Sequence, residues 1–92
     1  EPQKKKGDHY QKSSGPTKMR LETKGRGGKA VTVLFNLPFE EEQARQLMKD
    51  LQSAAGCGAT FKSGQIELQG DRREQVSAFF ERKEWKLIRA GG

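Results

Sequence analysis

Residues 31–38, Val31-Thr32-Val33-Leu34-Phe35-Asn36-Leu37-Pro38, decide the architecture. The run is rich in β-branched and aromatic residues. It ends at a proline that cannot donate to a sheet ladder, which predicts a strand over 31–37. Alternation puts Val31, Val33, Phe35 and Leu37 on one face and Thr32, Leu34 and Asn36 on the other, and assigns Phe35 to the core. Upstream, residues 17–23 alternate too: Met19 and Leu21 point one way, Lys18, Arg20 and Glu22 the other. Between the two runs lies Lys24-Gly25-Arg26-Gly27-Gly28-Lys29. The pair therefore reads as a hairpin whose long tip carries three cations and three glycines.

Downstream, residues 40–55 predict a helix with Ala44, Leu47, Met48, Leu51, Ala54 and Ala55 as one apolar stripe. Glu40, Glu41 and Glu42 crowd its first turn, where the helix dipole favours negative charge. Gly56 follows as a left-handed terminator. Residues 59–62 and 65–69 read as short strands around a Ser63-Gly64 turn, with Ile66 and Leu68 on one face. Asp71, with Glu74 three positions on, predicts the cap of a second helix whose stripe is Val76, Phe79 and Phe80. Residues 85–89 read as a last strand. The order β-β-α-β-β-α-β, with single-striped helices, implies an α+β fold: a two-layer sandwich, a ferredoxin-like plait with a five-stranded mixed sheet and two helices on one face.

The chain has 92 residues, enough for one domain, and a net charge of +6. Residues 1–16 have no hydrophobic period and predict a flexible basic tail, leaving 17–92 as the domain. The steepest positive excess lies over residues 17–30, where Lys18, Arg20, Lys24, Arg26 and Lys29 face the single acid Glu22. A basic patch of this kind suits a polyanion, and glycines let backbone N–H groups approach phosphates closely. A solvated, flexible turn is the simpler alternative for the loop alone.

Other chemistries find little support. The single cysteine, Cys57, permits no intrachain disulfide, and the single histidine, His9, lies in the tail, so no metal-ligand spacing exists. No apolar run reaches membrane-span length and no signal-peptide pattern opens the chain. The loop lacks P-loop spacing, and a strand follows it where a dinucleotide fingerprint needs a helix. Small acyl-phosphate hydrolases pair a loop arginine with a water-positioning asparagine; Arg26 and Asn36 are the only residues to weigh, and Asn36 has no reason to face Arg26. Neither an enzyme nor a cofactor is expected. Exposed aromatics are scarce, with only Tyr10 and Trp85 outside the core faces, so any RNA contact is expected through phosphates and shape.

The segments Gly25-Arg26-Gly27-Gly28-Lys29, Cys57-Gly58-Ala59-Thr60 and Gln69-Gly70-Asp71-Arg72-Arg73 closely resemble the suppressor-of-initiator-codon family. That family comprises eukaryotic translation initiation factor 1 and its prokaryotic relatives, and the Ile88-Arg89-Ala90-Gly91-Gly92 ending is most similar to the bacterial branch. The resemblance runs from about Thr17 to the end. It implies a cytoplasmic, monomeric protein that docks on the small ribosomal subunit and influences start-codon and initiator tRNA selection. Initiator tRNA and other initiation factors are further expected partners. The family's ribosome-facing loop corresponds to Lys24, Arg26, Gly27, Gly28 and Lys29, and its second segment to Gln69, Asp71, Arg72 and Arg73. The alternative is a regulatory RNA-binding or adaptor module without a role in codon selection, using the acids Glu40, Glu41, Glu42 and Asp50 against a protein.

Overall fold

The computed structural model describes residues 12–23 and 29–90. Its elements are β1 (Thr17–Glu22), β2 (Val31–Phe35), α1 (Glu41–Ala55), β3 (Ala59–Lys62), β4 (Gln65–Gln69), α2 (Arg73–Lys83) and β5 (Leu87–Arg89). The expected order is present, and the expected α+β sandwich forms. The five strands lie in the order β3-β4-β2-β1-β5. Only β1 and β5 pair in parallel; the other three pairings are antiparallel. Neither crossover helix joins adjacent strands. Strand β4 separates β2 from β3, and β2 with β1 separates β4 from β5. This is the order of a ferredoxin-like plait with β1 inserted between β2 and β5.

One side of the sheet faces both helices. Met19, Leu34, Ile66 and Leu68 pack there with Ala44, Leu47 and Leu51 of α1 and Val76, Phe79 and Phe80 of α2. The register pairs Met19 with Leu34 and Leu34 with Ile66, so these side chains share a face. That corrects the sequence expectation for β2. Leu34, fully buried, faces the helices, whereas Val33 and Phe35 lie on the uncovered side. Val33 is nevertheless buried, flanked by Arg20 and Glu67 on the neighbouring strands. Phe35 is half-buried beneath the Arg20 guanidinium, 4.7 Å from its ring centre. Alternation alone could not choose, because both faces of β2 carry apolar residues. Asn36, at φ 59°, then breaks the alternation and returns Leu37 to the core. It also ends the strand two residues earlier than expected. At the other end of the chain, β5 begins at Leu87, not at residue 85, because Glu84 takes a left-handed conformation (φ 61°) that terminates α2.

Local rules explain the remaining edges. The Gln43 side chain accepts the Glu40 N–H at 3.2 Å, one half of a capping box. Gly56 closes α1 at φ 65°, donating its N–H to the Gln52 carbonyl. Ala54 of the expected α1 stripe is exposed. Ser63 and Gly64 both have positive φ, the geometry of a two-residue hairpin turn. Before β1, Ser13 donates its hydroxyl to Asn36 Oδ1 at 2.7 Å, and Asn36 Nδ2 donates to the Pro16 carbonyl at 2.9 Å. The Asn36 amide is thus occupied in holding residues 13–16 against the end of β2.

Candidate nucleic-acid interface

The strand directions send three sequence-distant segments to one end of the sheet. The chain leaves β1 after Glu22 and enters β2 at Val31, so residues 23–30 connect the two strands at this end. Strand β3 starts and β4 finishes here. The Gly70 N–H donates to the Ala30 carbonyl at 2.8 Å, and the Gln69 N–H donates to the Gly58 carbonyl at 2.9 Å. The Cys57–Thr60 and Gln69–Arg73 segments are therefore stitched to each other at Gly58 and Gln69, and Gly70 is stitched to Ala30, the residue that follows the first segment.

Thr32 locks this junction. Its hydroxyl donates to the Gly70 carbonyl at 2.7 Å and accepts the Arg72 N–H at 2.8 Å. Both bonds lie on a fully buried residue. Sequence reasoning passed over Thr32, since a threonine within a strand carries no signal of a long-range role. Gly70 sits at φ +89°, and a Cβ there would lie 3.2 Å from Arg72 Nε. That conformation favours glycine and explains its presence before the Asp-Arg-Arg run.

The cations at this end differ in what holds them. Arg73 grips Asp71 with two bonds, Nε to Oδ1 and Nη2 to Oδ2, each 2.9 Å. Asp71 Oδ1 also accepts the Arg73 N–H at 3.3 Å. The Arg73 side chain, then its N–H, hold the Asp71 carboxyl below the ordinary carboxylate range, and Asp71 raises Arg73 in turn. This changes the expected role of Asp71. Helix α2 begins at Arg73, its N-cap position is Arg72, and no side chain caps it. Asp71 stands one residue before that position and meets only the first helical N–H, that of Arg73, while its carboxylate is held by the Arg73 side chain. Arg72 donates Nε to the Gln69 carbonyl at 2.9 Å, and Arg89 donates Nη2 to the Ser77 hydroxyl at 3.0 Å. Among the described residues, Lys29, Arg72 and Arg89 have no carboxylate within ion-pair distance, and Lys29 is exposed. Lys24, Arg26, Gly27 and Gly28 lie outside the described residues.

Elsewhere, three of the four acids Glu40, Glu41, Glu42 and Asp50 at α1 have internal partners. Glu40 pairs with Lys12 at 2.9 Å, Glu41 with Arg45 at 3.0 Å, and Asp50 accepts from Gln46 at 3.0 Å. Among the described residues no group of three or more His, Cys, Asp or Glu could hold a metal ion, and no helix is long and apolar enough to cross a membrane.

A small basic α+β sandwich in which the strand after a glycine-rich segment is stitched to a Gly-Asp-Arg-Arg turn is the class of protein that fold and site define. The family model for translation initiation factor SUI1 matches residues 13–86, and the chain belongs to that family. It is 33% identical over 81 residues to an uncharacterized protein of Haemophilus influenzae, covering 88% of this chain and 76% of that protein. It is likewise 33% identical over 81 residues to the uncharacterized protein YciH of Escherichia coli, covering 88% and 75%. Against the protein translation factor SUI1 homolog of the archaeon Ignicoccus hospitalis, identity is 39% over 64 residues, covering 70% of this chain and 61% of the homolog.

Proposed function

We propose that this chain acts in translation initiation by binding, without catalysis, and that it works in the cytoplasm. It seats on ribosomal RNA of the small ribosomal subunit through Lys24, Arg26 and Lys29 of the basic loop and through the neighbouring Gln69–Arg73 turn. From there it influences start-codon and initiator tRNA selection. The observation that carries this reading is the junction at Thr32. It fixes the Arg72 backbone against the strand that is entered through Lys29 and Ala30, so Arg72 and Lys29 offer a cationic surface at one end of the sheet. Phosphates reward such a surface, because each neutralised phosphate releases condensed counterions. Arg73, gripped by Asp71, serves in this reading to shape the turn, and Arg72 and Lys29 present charge. The adaptor alternative is weakened by the partners that Glu40, Glu41 and Asp50 already have within the chain.

Chemical footprinting of small-subunit RNA, with and without the protein, tests the reading. Protection should appear at a discrete site and vanish with the Lys24→Ala, Arg26→Ala, Lys29→Ala triple variant. Equal protection by wild type and triple variant would remove the loop as the main contact. Binding that required an added protein factor would favour the adaptor.

A further inference from the structure

The opposite end of the sheet carries a second, different feature. Strand β1 runs six residues from Thr17 towards the loop, so the two ends are about 20 Å apart. At the Thr17 end a cleft of about 390 Å³ opens between residues 14–17, 38–39 and 84–86. Pro16, Pro38, Phe39 and Trp85 give it flat apolar walls. Trp85 is held by its neighbours, 4.9 Å from the Phe39 ring centre and edge-on to Phe80 at 5.6 Å, yet 38% of its surface stays exposed. Thr17 lines the cleft and is 1% exposed, and its hydroxyl is the buried side-chain polar atom with no hydrogen-bond partner among the described residues. An unpaired buried hydroxyl is costly, so natural folds keep few of them. Lys86 lines the rim, and Lys83 Nζ sits 5.8 Å from the Trp85 ring centre. Neither lysine has a carboxylate within ion-pair distance among the described residues.

We propose that this cleft takes one unpaired nucleobase of a single-stranded RNA. Flat walls suit a flat heterocycle, the edge of a base supplies the donor or acceptor that the Thr17 hydroxyl lacks, and Lys83 and Lys86 meet the flanking phosphates. An apolar peptide side chain would fill the walls but leave the hydroxyl unpaired and the lysines unused. This adds a base contact to the phosphate-only contact that the scarcity of aromatics suggests, and it stands independently of the loop reading.

Trp85 is the only tryptophan in the chain, so its fluorescence reports on this cleft alone. The wild-type protein is titrated with heptauridylate, heptaadenylate and, as a polyanion without bases, inorganic polyphosphate of equal charge. The oligonucleotides should quench Trp85 and polyphosphate should not. Thr17→Val, which keeps the shape and removes the hydroxyl, should raise the dissociation constant about three- to tenfold while the melting temperature stays level or rises. That split separates a binding role from a structural one. Lys49→Ala, which removes an exposed charge on α1 that lines neither site, should leave quenching unchanged, and this separates the cleft from a general effect of charge. Quenching by polyphosphate as strong as by RNA, no quenching by RNA, quenching by an acidic peptide alone, or full affinity in Thr17→Val would each overturn the proposal.

Discussion

The Thr32 hydroxyl lies 2.7 Å from the Gly70 carbonyl, across 38 residues of sequence. Through that bond, and the one it accepts from Arg72, a buried strand residue sets the position of an exposed turn. Thr32→Val keeps the shape but strands the Gly70 carbonyl and the Arg72 N–H. The expected cost is about 1–3 kcal/mol for the unsatisfied groups. Thermal unfolding should drop by about 4–8 °C for each kcal/mol in a domain of this size. Small-subunit affinity should fall too, because the turn loses its register with the loop. A melting temperature equal to wild type would show that the hydroxyl does not hold the junction.

Gly70→Ala acts on the same turn by another route. The φ of +89° is strained for any L side chain, and the new Cβ would press on the Arg72 guanidinium. Strain of this kind costs about 1–3 kcal/mol. Urea unfolding should show a lower midpoint with an unchanged slope. Nitrogen-15 shifts should move chiefly at residues 69–73 and at Ala30, whose carbonyl accepts the Gly70 N–H. Shift changes confined to β5 would contradict the contact.

The two faces of β2 give a direct comparison of neighbours. Leu34→Ala opens a cavity between sheet and helices and should cost about 2–5 kcal/mol, as should Leu47→Ala and Phe79→Ala. Phe35→Ala removes a half-buried ring and its contact with Arg20, for about 1–2 kcal/mol. Differential calorimetry on the pair should therefore rank Leu34 well above Phe35; the reverse order would restore the opposite face as the core.

That pair also marks where sequence reasoning reached its limit. Elements with one apolar face were legible: Ile66 and Leu68 in β4, and Val76, Phe79 and Phe80 in α2, are buried as their spacing predicts. Strand β2 is apolar on both faces, so its orientation depends on Met19 and Ile66 across the ladder, which periodicity within one strand does not contain. The Gln69–Arg73 turn was legible as a segment but not as a structure. Asp71 has the spacing of a cap, yet a guanidinium two residues away competes for its carboxylate and holds both oxygens. The Thr17 hydroxyl has no signal in sequence, because its lack of a partner depends on packing alone.

Acid titration should expose the Asp71–Arg73 pair. The folded-state pKa of Asp71 lies below its ordinary 3.8, with the Arg73 hydrogen bond as the leading cause. A lowered carboxylate favours the folded state fully above the unfolded pKa, and that contribution disappears as pH falls through the folded pKa. The stability difference between wild type and Asp71→Asn should therefore be constant from about pH 5 to 8 and shrink below about pH 4. Arg73 is raised further above its already high ordinary value by the Asp71 hydrogen bond, so it stays charged throughout this window. Melting temperatures of the two proteins from pH 2.5 to 8 check this; a difference that changes near neutrality would point to another group.

The same pair predicts which cations count in RNA binding. Lys29 and Arg72 have no carboxylate partner among the described residues, whereas the Arg73 charge is offset by Asp71 within 2.9 Å. A polyanion gains from a cation only the charge its own protein has not already neutralised. Lys29→Ala and Arg72→Ala should each reduce the slope of log affinity against log salt by about 0.7–0.9. The double variant Asp71→Ala, Arg73→Ala removes a neutral pair and should leave that slope nearly unchanged. It should still weaken binding at every salt concentration, because the turn loses the clamp that shapes it. Filter binding of small-subunit RNA across 50–300 mM salt measures all four proteins on one axis. A slope in the double variant as shallow as in Arg72→Ala would mean that Arg73 leaves Asp71 to meet a phosphate, and that the clamp opens on binding.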